Sequence, residues 1–120
     1  MRVLFVDDDK RMLESLRDRL RKRRHSWRMR FCSDPHVALN EVEREPVDVL
    51  VTDLRMPSLS GASMLVVVQA WYPETRRIVL SGHVDGVWAQ RLEAAADVVL
   101  RKPCDVAQLE RAIAGSTLPA

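Results

Sequence analysis

The feature that most constrains the fold is a regular alternation of short apolar runs with longer amphipathic stretches. Four short aliphatic or β-branched runs, at 3–6, 49–52, 78–80 and 98–100, are predicted to be buried strands. A fifth strand, at 27–31, is predicted because Trp27, Met29 and Phe31 alternate with arginines. Each is followed by a stretch whose apolar residues have helical spacing. This alternation predicts a mainly parallel sheet with helices on both faces and right-handed crossovers.

Local signals place several helix boundaries. Asp34 and Pro35 combine a capping carboxylate with proline at the first helical position. Asp105 and Gln108 stand three residues apart, which is the spacing of a capping box. A third helix, preceded by Ser60-Gly61 and running through Met64, Leu65, Val68 and Trp71, is predicted from its position between two strands, although its β-branched residues are weak helix formers. The first predicted helix has an apolar face formed by Met12, Leu13, Leu16 and Leu20. The fourth has one formed by Val84, Val87, Trp88 and Leu92.

Length and composition fit one globular domain. The chain has 120 residues, enough for one core and too few for two, so we expect 1–120 to be a single domain with any output domain absent. Hydrophobic residues make up 47% and charged residues 30%, unlike a disordered chain. No apolar run approaches the roughly 20 residues of a membrane span, and no signal peptide opens the chain. We therefore expect a cytoplasmic protein without membrane contact.

Polar residues follow four of the five predicted strands. Asp7, Asp8 and Asp9 follow the first, Asp53 the third, Ser81 the fourth and Lys102 the fifth. The carboxyl ends of parallel strands meet at one edge, where open α/β sheets bind ligands. Carboxylates gathered there raise each other's pKa unless a cation is bound, and magnesium suits oxygen ligands and a phosphate.

A lysine and a hydroxyl at the same edge complete a pocket for a phosphoryl group. Attack by Asp53 would form an aspartyl phosphate, with the protein positioning the groups and neutralising charge. Each motif also has an ordinary explanation: the acidic triplet as a turn or helix cap, Ser81-Gly82 as a turn, and Lys102-Pro103 as a surface loop. Their occurrence at the strand ends of one sheet favours the functional interpretation.

The same motifs resemble those of receiver domains of two-component response regulators, the CheY-like family. The likeness runs from the first strand to the last helix and rests on the segments at 6–9, 53–57 with Gly61, 80–82 and 100–103. It implies a flavodoxin-like, doubly wound (βα)5 fold, a three-layer sandwich whose five-stranded parallel sheet has the order 2-1-3-4-5.

The resemblance also implies a metal and a phosphodonor. Asp53 would be the phosphoacceptor, modified by a histidine kinase, a phosphotransfer protein or a small phosphodonor. Magnesium or manganese would be held by Asp8 directly, by Asp7 beside it or through water, by Asp53, and by the backbone carbonyl of Arg55. Such a domain is not an enzyme, although it assists its own phosphorylation and dephosphorylation.

Further residues would transmit the signal. The resemblance makes Ser81 the switch hydroxyl and Lys102 the phosphate-binding cation, with a cis Lys102-Pro103 bond. Phosphorylation would shift the surface formed by the fourth and fifth predicted helices and the fifth strand, and so control an output domain or effector protein. The sequence at 55–57 and 102–104 also resembles receivers attached to HDOD or HD-GYP output domains.

Four positions depart from the family pattern or vary within it. Val99 stands where many members carry Tyr or Phe, so the switch would work without an inward-turning ring. Ala95 replaces a common Gly. Arg55 and His83 hold the variable places that tune the lifetime of the phosphate. Arg55 either shields or pairs with the phosphate or faces solvent, and both alternatives stay open.

Two other groups of residues are not expected to take part in the chemistry of the site. Ten Lys or Arg residues lie between positions 10 and 30, against Glu14 and Asp18. A solvated face is favoured for them, then a kinase-docking surface, then nucleic acid, for which no recognition signature is present and the net charge of +2 is small. We therefore expect no direct binding of nucleic acid by this domain. Cys32 and Cys104 match no metal or redox spacing and are expected to be inert.

Three alternatives remain. The Asp7-x-Asp9 pattern resembles the nucleophile motif of haloacid-dehalogenase-like phosphatases, although Lys10-Arg11 breaks its continuation. A flavin-binding module of this fold is disfavoured, because it needs a hydroxyl- and glycine-rich loop after the first strand, where three aspartates would repel the flavin phosphate. A receiver that signals without phosphorylation is the third. The apolar character of the third and fourth helices also leaves a homodimer open.

Overall fold

The computed structural model describes residues 1–53, 60–82 and 94–115, apart from the side chains of 60–63 and 81. The elements in this part of the chain are β1 (Arg2–Val6), α1 (Lys10–Arg19), β2 (Arg28–Cys32), α2 (Pro35–Arg44), β3 (Val49–Asp53), α3 (Ser60–Trp71), β4 (Arg76–Ser81), β5 (Val98–Arg101) and α4 (Val106–Ala114). A 3-10 turn at Arg21–Arg23 follows α1. The predicted helix around Trp88 lies outside the described residues. None of the described helices has the length and apolar character that a membrane span requires.

The five strands form one parallel sheet in the order β2-β1-β3-β4-β5. This confirms the predicted fold. β3 is central, and its Val51 pairs with Phe5 of β1 on one side and Ile78 of β4 on the other. Because all strands run the same way, the carboxyl ends of β1, β3 and β5 lie at one edge.

Alternate side chains of the strands enter two cores, one on each face of the sheet. Phe5, Val51 and Ile78 pack with residues of α1 and α4, including Leu16 and Leu109. On the other face, the buried residues of the sheet and of α2 and α3 include Leu4, Leu50, Val79, Val42 and Leu65. The strands of the sheet interior are therefore apolar on both faces, as the near-continuous run 49–51 predicts.

Capping carboxylates start three of the helices. The side chain of Asp34 accepts a hydrogen bond from the backbone N–H of His36, with Pro35 at the helix start. Asp105 and Gln108 form the predicted capping box at the start of α4. The third cap is Asp9, whose carboxylate accepts from the backbone N–H of Arg11 at 3.0 Å. Both predicted caps are thus confirmed, and one residue of the acidic triplet has a structural task.

A buried arginine joins the amino ends of β4 and β5. Arg77 is 7% exposed, and its guanidinium donates to the carbonyl oxygens of Ala95 at 2.7 Å and Thr75 at 3.0 Å. Its backbone N–H donates to Asp97 Oδ2 at 2.8 Å, and Asp97 N–H donates back to the Arg77 carbonyl at 2.8 Å. The predicted strand begins at Ile78, one residue after Arg77, and this connection was not predicted.

Helix α3 is apolar on its outer side as well as on its inner side. Met64, Leu65 and Val68 are fully buried, whereas Val66 is 54% exposed and Trp71 is 76% exposed. An ordinary surface helix carries polar residues on its outer face. The outer face of α3 is therefore the apolar surface that the sequence left open for self-association.

Candidate functional site

The carboxyl edge of the sheet gathers two buried carboxylates and one lysine. β1 is followed at once by Asp7, β3 ends at Asp53, and Lys102 follows β5 directly. Asp7 is 3% exposed and Asp53 is 6% exposed. Burial of charged carboxylates requires nearby compensation, because removing them from water is costly.

Lys102 supplies that compensation to Asp53. Its Nζ donates to Asp53 Oδ2 at 2.7 Å. The Lys102 side chain is 24% exposed and the Asp53 side chain is 8% exposed, so the pair lies near the surface of this sheet edge rather than deep in the core. The Lys102-Pro103 peptide is cis, as the family resemblance implies. The structure thus brings together the acid of β3 and the amine that follows β5.

Asp7 lies in the same electrostatic environment. The pKa of its carboxyl group is raised from 3.8 to about 6, chiefly by burial, with a smaller contribution in the same direction from the negative charge of Asp53. The backbone N–H of Asp9, at 2.9 Å from Asp7 Oδ1, and the charge of Lys102 act in the opposite direction. Asp8 is exposed, and its charge is the smallest contribution to this pKa. Asp7, Asp53 and Lys102 are therefore electrostatically coupled.

The three consecutive aspartates have three different environments. Asp7 is buried at the sheet edge, Asp8 is exposed to solvent, and Asp9 caps α1. The sequence allowed a helix cap within the triplet but did not assign it to Asp9. The helical stripe that begins at Met12 is the signal that could have identified Asp9 as a cap, because an N-cap directly precedes the first helical residue.

Several predicted site residues are only partly described. Arg55 and His83 lie outside the described residues, and Ser81 is described only as the last residue of β4. Val99 is half-buried in β5, where it pairs with Val79. Their proposed roles therefore stay predictions.

The donor atoms at the edge suit a hard cation. In the described part of the chain, no group of three or more His, Cys, Asp or Glu side chains is arranged to hold a metal ion. Magnesium does not need such a group, because it usually takes one or two carboxylates and completes its shell with carbonyl, water and phosphate oxygens. The coupled, buried carboxylates of Asp7 and Asp53 fit that incomplete shell, since a cation would offset both the burial and the repulsion by Asp53 that raise the pKa of Asp7.

A groove of about 530 Å³ adjoins this edge and was not predicted. It lies between α1 and the start of α4 and reaches Lys102, with a largely apolar lining that includes Met12, Leu16, Leu80 and Pro103. Cys104 also lines it, and burial raises the pKa of both cysteine thiols, Cys32 and Cys104. A raised pKa lowers the thiolate fraction, which agrees with their expected inertness.

Comparison with known proteins gives a consistent result. A family model described as the response regulator receiver domain matches residues 3–114. The response regulator MprA of Mycobacterium leprae is 35% identical over 112 residues, which cover 91% of this chain and 47% of that protein. Across the first curated relatives, this chain spans between 17% and 47% of their length.

Solved structures agree with the sequence relatives. The signal receiver domain of an HD domain-containing protein from Pseudomonas fluorescens Pf-5 has a TM-score of 0.85 and 26% identity, covering 96% of this chain and 92% of that one. A response regulator protein from Burkholderia pseudomallei, with a phosphorylated aspartic acid, calcium ion and citrate, has a TM-score of 0.79 and 25% identity, covering 93% and 65%. The match at 3–114, the parallel sheet in the order 2-1-3-4-5 and the acidic edge with its lysine together show that the chain belongs to the response regulator receiver domains of two-component, phosphorelay signalling.

Proposed function

We propose that this chain is a phosphorylation-controlled switch in which Asp53 accepts the phosphoryl group. The observation that carries this proposal is the 2.7 Å contact between Lys102 Nζ and Asp53 Oδ2 at a buried sheet edge. An oxygen of Asp53 attacks phosphorus while the bond to the donor's leaving group breaks, and the leaving group keeps that electron pair. The ammonium group of Lys102 then faces the added negative charge of the phosphoryl group.

Asp7, Asp8, Asp53 and the carbonyl of Arg55 would hold magnesium or manganese. When bound, the cation supplies neutralisation of charge on the phosphoryl oxygens. The chain's own contribution is a set of acidic oxygens that must be ionised to act as ligands. Because the pKa of Asp7 is raised to about 6, we expect metal affinity to fall when the pH drops through that value.

Lys102 and Ser81 link the phosphorylation site to the rest of the molecule. Lys102 lies at the end of β5, and Ser81 ends the neighbouring strand β4. In this proposal the Ser81 hydroxyl binds the phosphoryl group and shifts the surface that includes β5 and α4. Val99 lies within that strand and would take part without an aromatic ring. Arg55 and His83 would set how long the phosphate persists.

The partners we propose are a phosphodonor and an effector. The groove between α1 and α4 opens beside Lys102, so a histidine kinase or phosphotransfer protein docked there would stand next to Asp53. The curated relatives are longer than this chain, which supports an output domain or effector protein as the target that this domain controls. Residues 1–120 would form the receiver domain alone. The phosphorylated aspartic acid of the Burkholderia pseudomallei response regulator is consistent with the proposed modification.

Intact-mass measurement after treatment with a small acyl phosphate and magnesium tests the proposal. We expect a gain of one phosphoryl group that disappears in Asp53→Asn. Glu43→Gln is the matched control, since it removes one exposed carboxylate from α2 and should leave the mass gain intact.

Two results would contradict the proposed switch. An equal mass gain in Asp53→Asn would place the modification elsewhere, and no gain in the unmodified sequence would favour a module that signals without phosphorylation. Repeated hydrolysis of a generic phosphate ester would instead point to the phosphatase alternative. That alternative is disfavoured because the carboxylate of Asp9, the second acid of its motif, caps α1.

A further inference from the structure

Charge is distributed very unevenly along this chain. Residues 17–30 contain eight Lys or Arg and one Asp, so this segment has a net charge of +7, whereas the whole chain carries +2. The remaining residues therefore carry −5 together. A net charge near zero conceals a strongly basic region, which is why composition alone gave no reason to expect a polyanionic partner.

The fold gathers part of this charge into two adjoining grooves. One, of about 540 Å³, is lined by Arg17, Asp18, Arg21, Arg24, Trp27, Arg28 and Met29. The other, of about 360 Å³, is lined by Arg21, Lys22, Arg24 and His25. Arg21 and Arg24 border both grooves, so the two form one continuous surface. We call the five cations of this surface, Arg17, Arg21, Lys22, Arg24 and Arg28, the basic surface.

The cations of the basic surface have no acidic salt-bridge partner among the described residues. Neighbouring arginines are engaged, since Arg23 pairs with Glu110 and Arg30 with Glu41. Among the residues that the structure describes, no salt bridge involves a member of the basic surface. Arg17 lies over the ring of Phe31 at 4.8 Å, a contact that orients the guanidinium without neutralising it. The basic surface therefore presents nearly its full charge to solvent.

The basic surface is remote from the phosphorylation site. Helix α1 starts beside Asp9 at the carboxyl edge of the sheet and ends at Arg19, so its 10 residues span about 15 Å. The 3-10 turn that follows and the first residue of β2, Arg28, lie at the amino edge. A ligand bound there would be independent of Asp53.

We propose that the basic surface binds the phosphodiester backbone of duplex DNA. A duplex carries one negative charge per roughly 1.7 Å of its axis, and cations that contact its phosphates release condensed counterions. Guanidinium groups suit phosphate because their N–H donors match two of its oxygens. Such contacts carry no base readout, so the absence of a recognition motif in the sequence is no obstacle.

The exposure of the basic surface favours duplex DNA over other anions. All five cations of the basic surface are exposed, and both grooves are open, unlike the enclosed pockets that hold small molecules. Single strands bind by stacking bases on aromatic rings, but Trp27, the large aromatic residue lining these grooves, is only 8% exposed. The exposed ring of His25 already accepts a hydrogen bond from Arg24 Nε at 3.3 Å. An acidic protein would need apolar anchors in the same place, and protein interfaces draw most of their affinity from such anchors. The observations thus favour a backbone contact.

Fluorescence anisotropy of a labelled duplex of about 20 base pairs, titrated with the full chain at several salt concentrations, tests this inference. The double variant Arg21→Gln/Arg24→Gln should weaken binding at about 50 mM salt at least about tenfold. It should also reduce the slope of log K against log salt by about 1.8, since each lost phosphate contact removes about 0.9. Arg44→Gln/Arg111→Gln is the matched control, because it removes the same charge from exposed positions on α2 and α4.

Each outcome bears on the proposal. Equal weakening by both double variants, or no binding by the unmodified sequence, would overturn it. Tighter binding of a single-stranded oligonucleotide, or of polyglutamate at equal charge, would also overturn it, the latter in favour of an acidic protein partner. Asp53→Asn should bind the duplex unchanged, so failure of the phosphorylation proposal and failure of this one are separate results. Thermal unfolding of all variants confirms that they are folded.

Discussion

Asp7→Asn should stabilise the metal-free protein at neutral pH. The carboxyl group is 3% exposed, and burial together with the charge of Asp53 raises its pKa from 3.8 to about 6. A rise of this size means that ionised Asp7 costs the native state up to about 3 kcal/mol at pH 7. Asparagine removes the charge but keeps an oxygen that can accept the hydrogen bond from Asp9 N–H.

The sign of the pH dependence follows from the raised pKa. Below pH 3.8 the carboxyl group is protonated in both the folded and unfolded states, and it costs nothing. Between 3.8 and about 6 only the unfolded state ionises freely, so the stability of the unmodified sequence relative to Asp7→Asn falls as the pH rises. Above about 6 the full cost is present and the difference between the two proteins becomes constant.

Urea denaturation in a metal chelator, repeated between pH 4 and pH 8, measures this difference directly. We expect Asp7→Asn to exceed the unmodified sequence by up to about 3 kcal/mol above pH 7 and to match it near pH 4. Asp8→Asn is the control, because it removes the same charge from an exposed neighbour and should change stability little. Equal stability of the two sequences at pH 7.5, or a difference that does not vary with pH, would refute the reasoning.

Magnesium should shift the stability difference between the unmodified sequence and Asp7→Asn in the opposite direction. A cation at the carboxyl edge favours the ionised form of Asp7, so saturating magnesium should stabilise the unmodified sequence more than Asp7→Asn. The measurement is the shift in the unfolding midpoint on adding magnesium to each protein. A larger shift in Asp7→Asn would show that Asp7 is not a ligand.

Three further predictions concern the scaffold and its surface. Arg77→Met should lower the free energy of unfolding by about 2 kcal/mol, because two backbone carbonyls lose their buried donor. Arg44→Met, on the exposed side of α2, is the control and should change the free energy of unfolding little. An unchanged urea midpoint in Arg77→Met would contradict this prediction. Asp105→Ala should cost about 1 kcal/mol through loss of the N-cap of α4, and Asp105→Ser, which keeps an acceptor, should recover most of it in the same assay. Beryllofluoride treatment should change the oligomeric state, measured by light scattering. Trp71→Gln, on the apolar outer face of α3, should suppress that change. Unchanged scattering of the unmodified sequence would count against an interface on this face.

The sequence by itself determined the fold and the meeting of Asp53 and Lys102 at one edge of the sheet. The alternation of apolar runs and helical stripes specifies a parallel sheet, since only that arrangement buries strands such as 49–51 on both faces. Parallel strands in turn direct their carboxyl ends to one edge, which brings Lys102 to Asp53 across 49 positions of sequence. The caps at Asp34 and Asp105 were equally readable, because capping is a contact between residues two or three positions apart.

Only the tertiary structure decided how much each of these groups is buried and what surrounds it. Three adjacent aspartates look alike in sequence, yet one is buried at the sheet edge, one is solvated and one caps α1. The internal partners of Arg77 and the convergence of the basic surface depend on segments that are distant in sequence or turned by the 3-10 helix. Periodicity reports which face of an element is apolar, whereas burial, pKa and charge neutralisation are set by neighbours that only packing brings into contact.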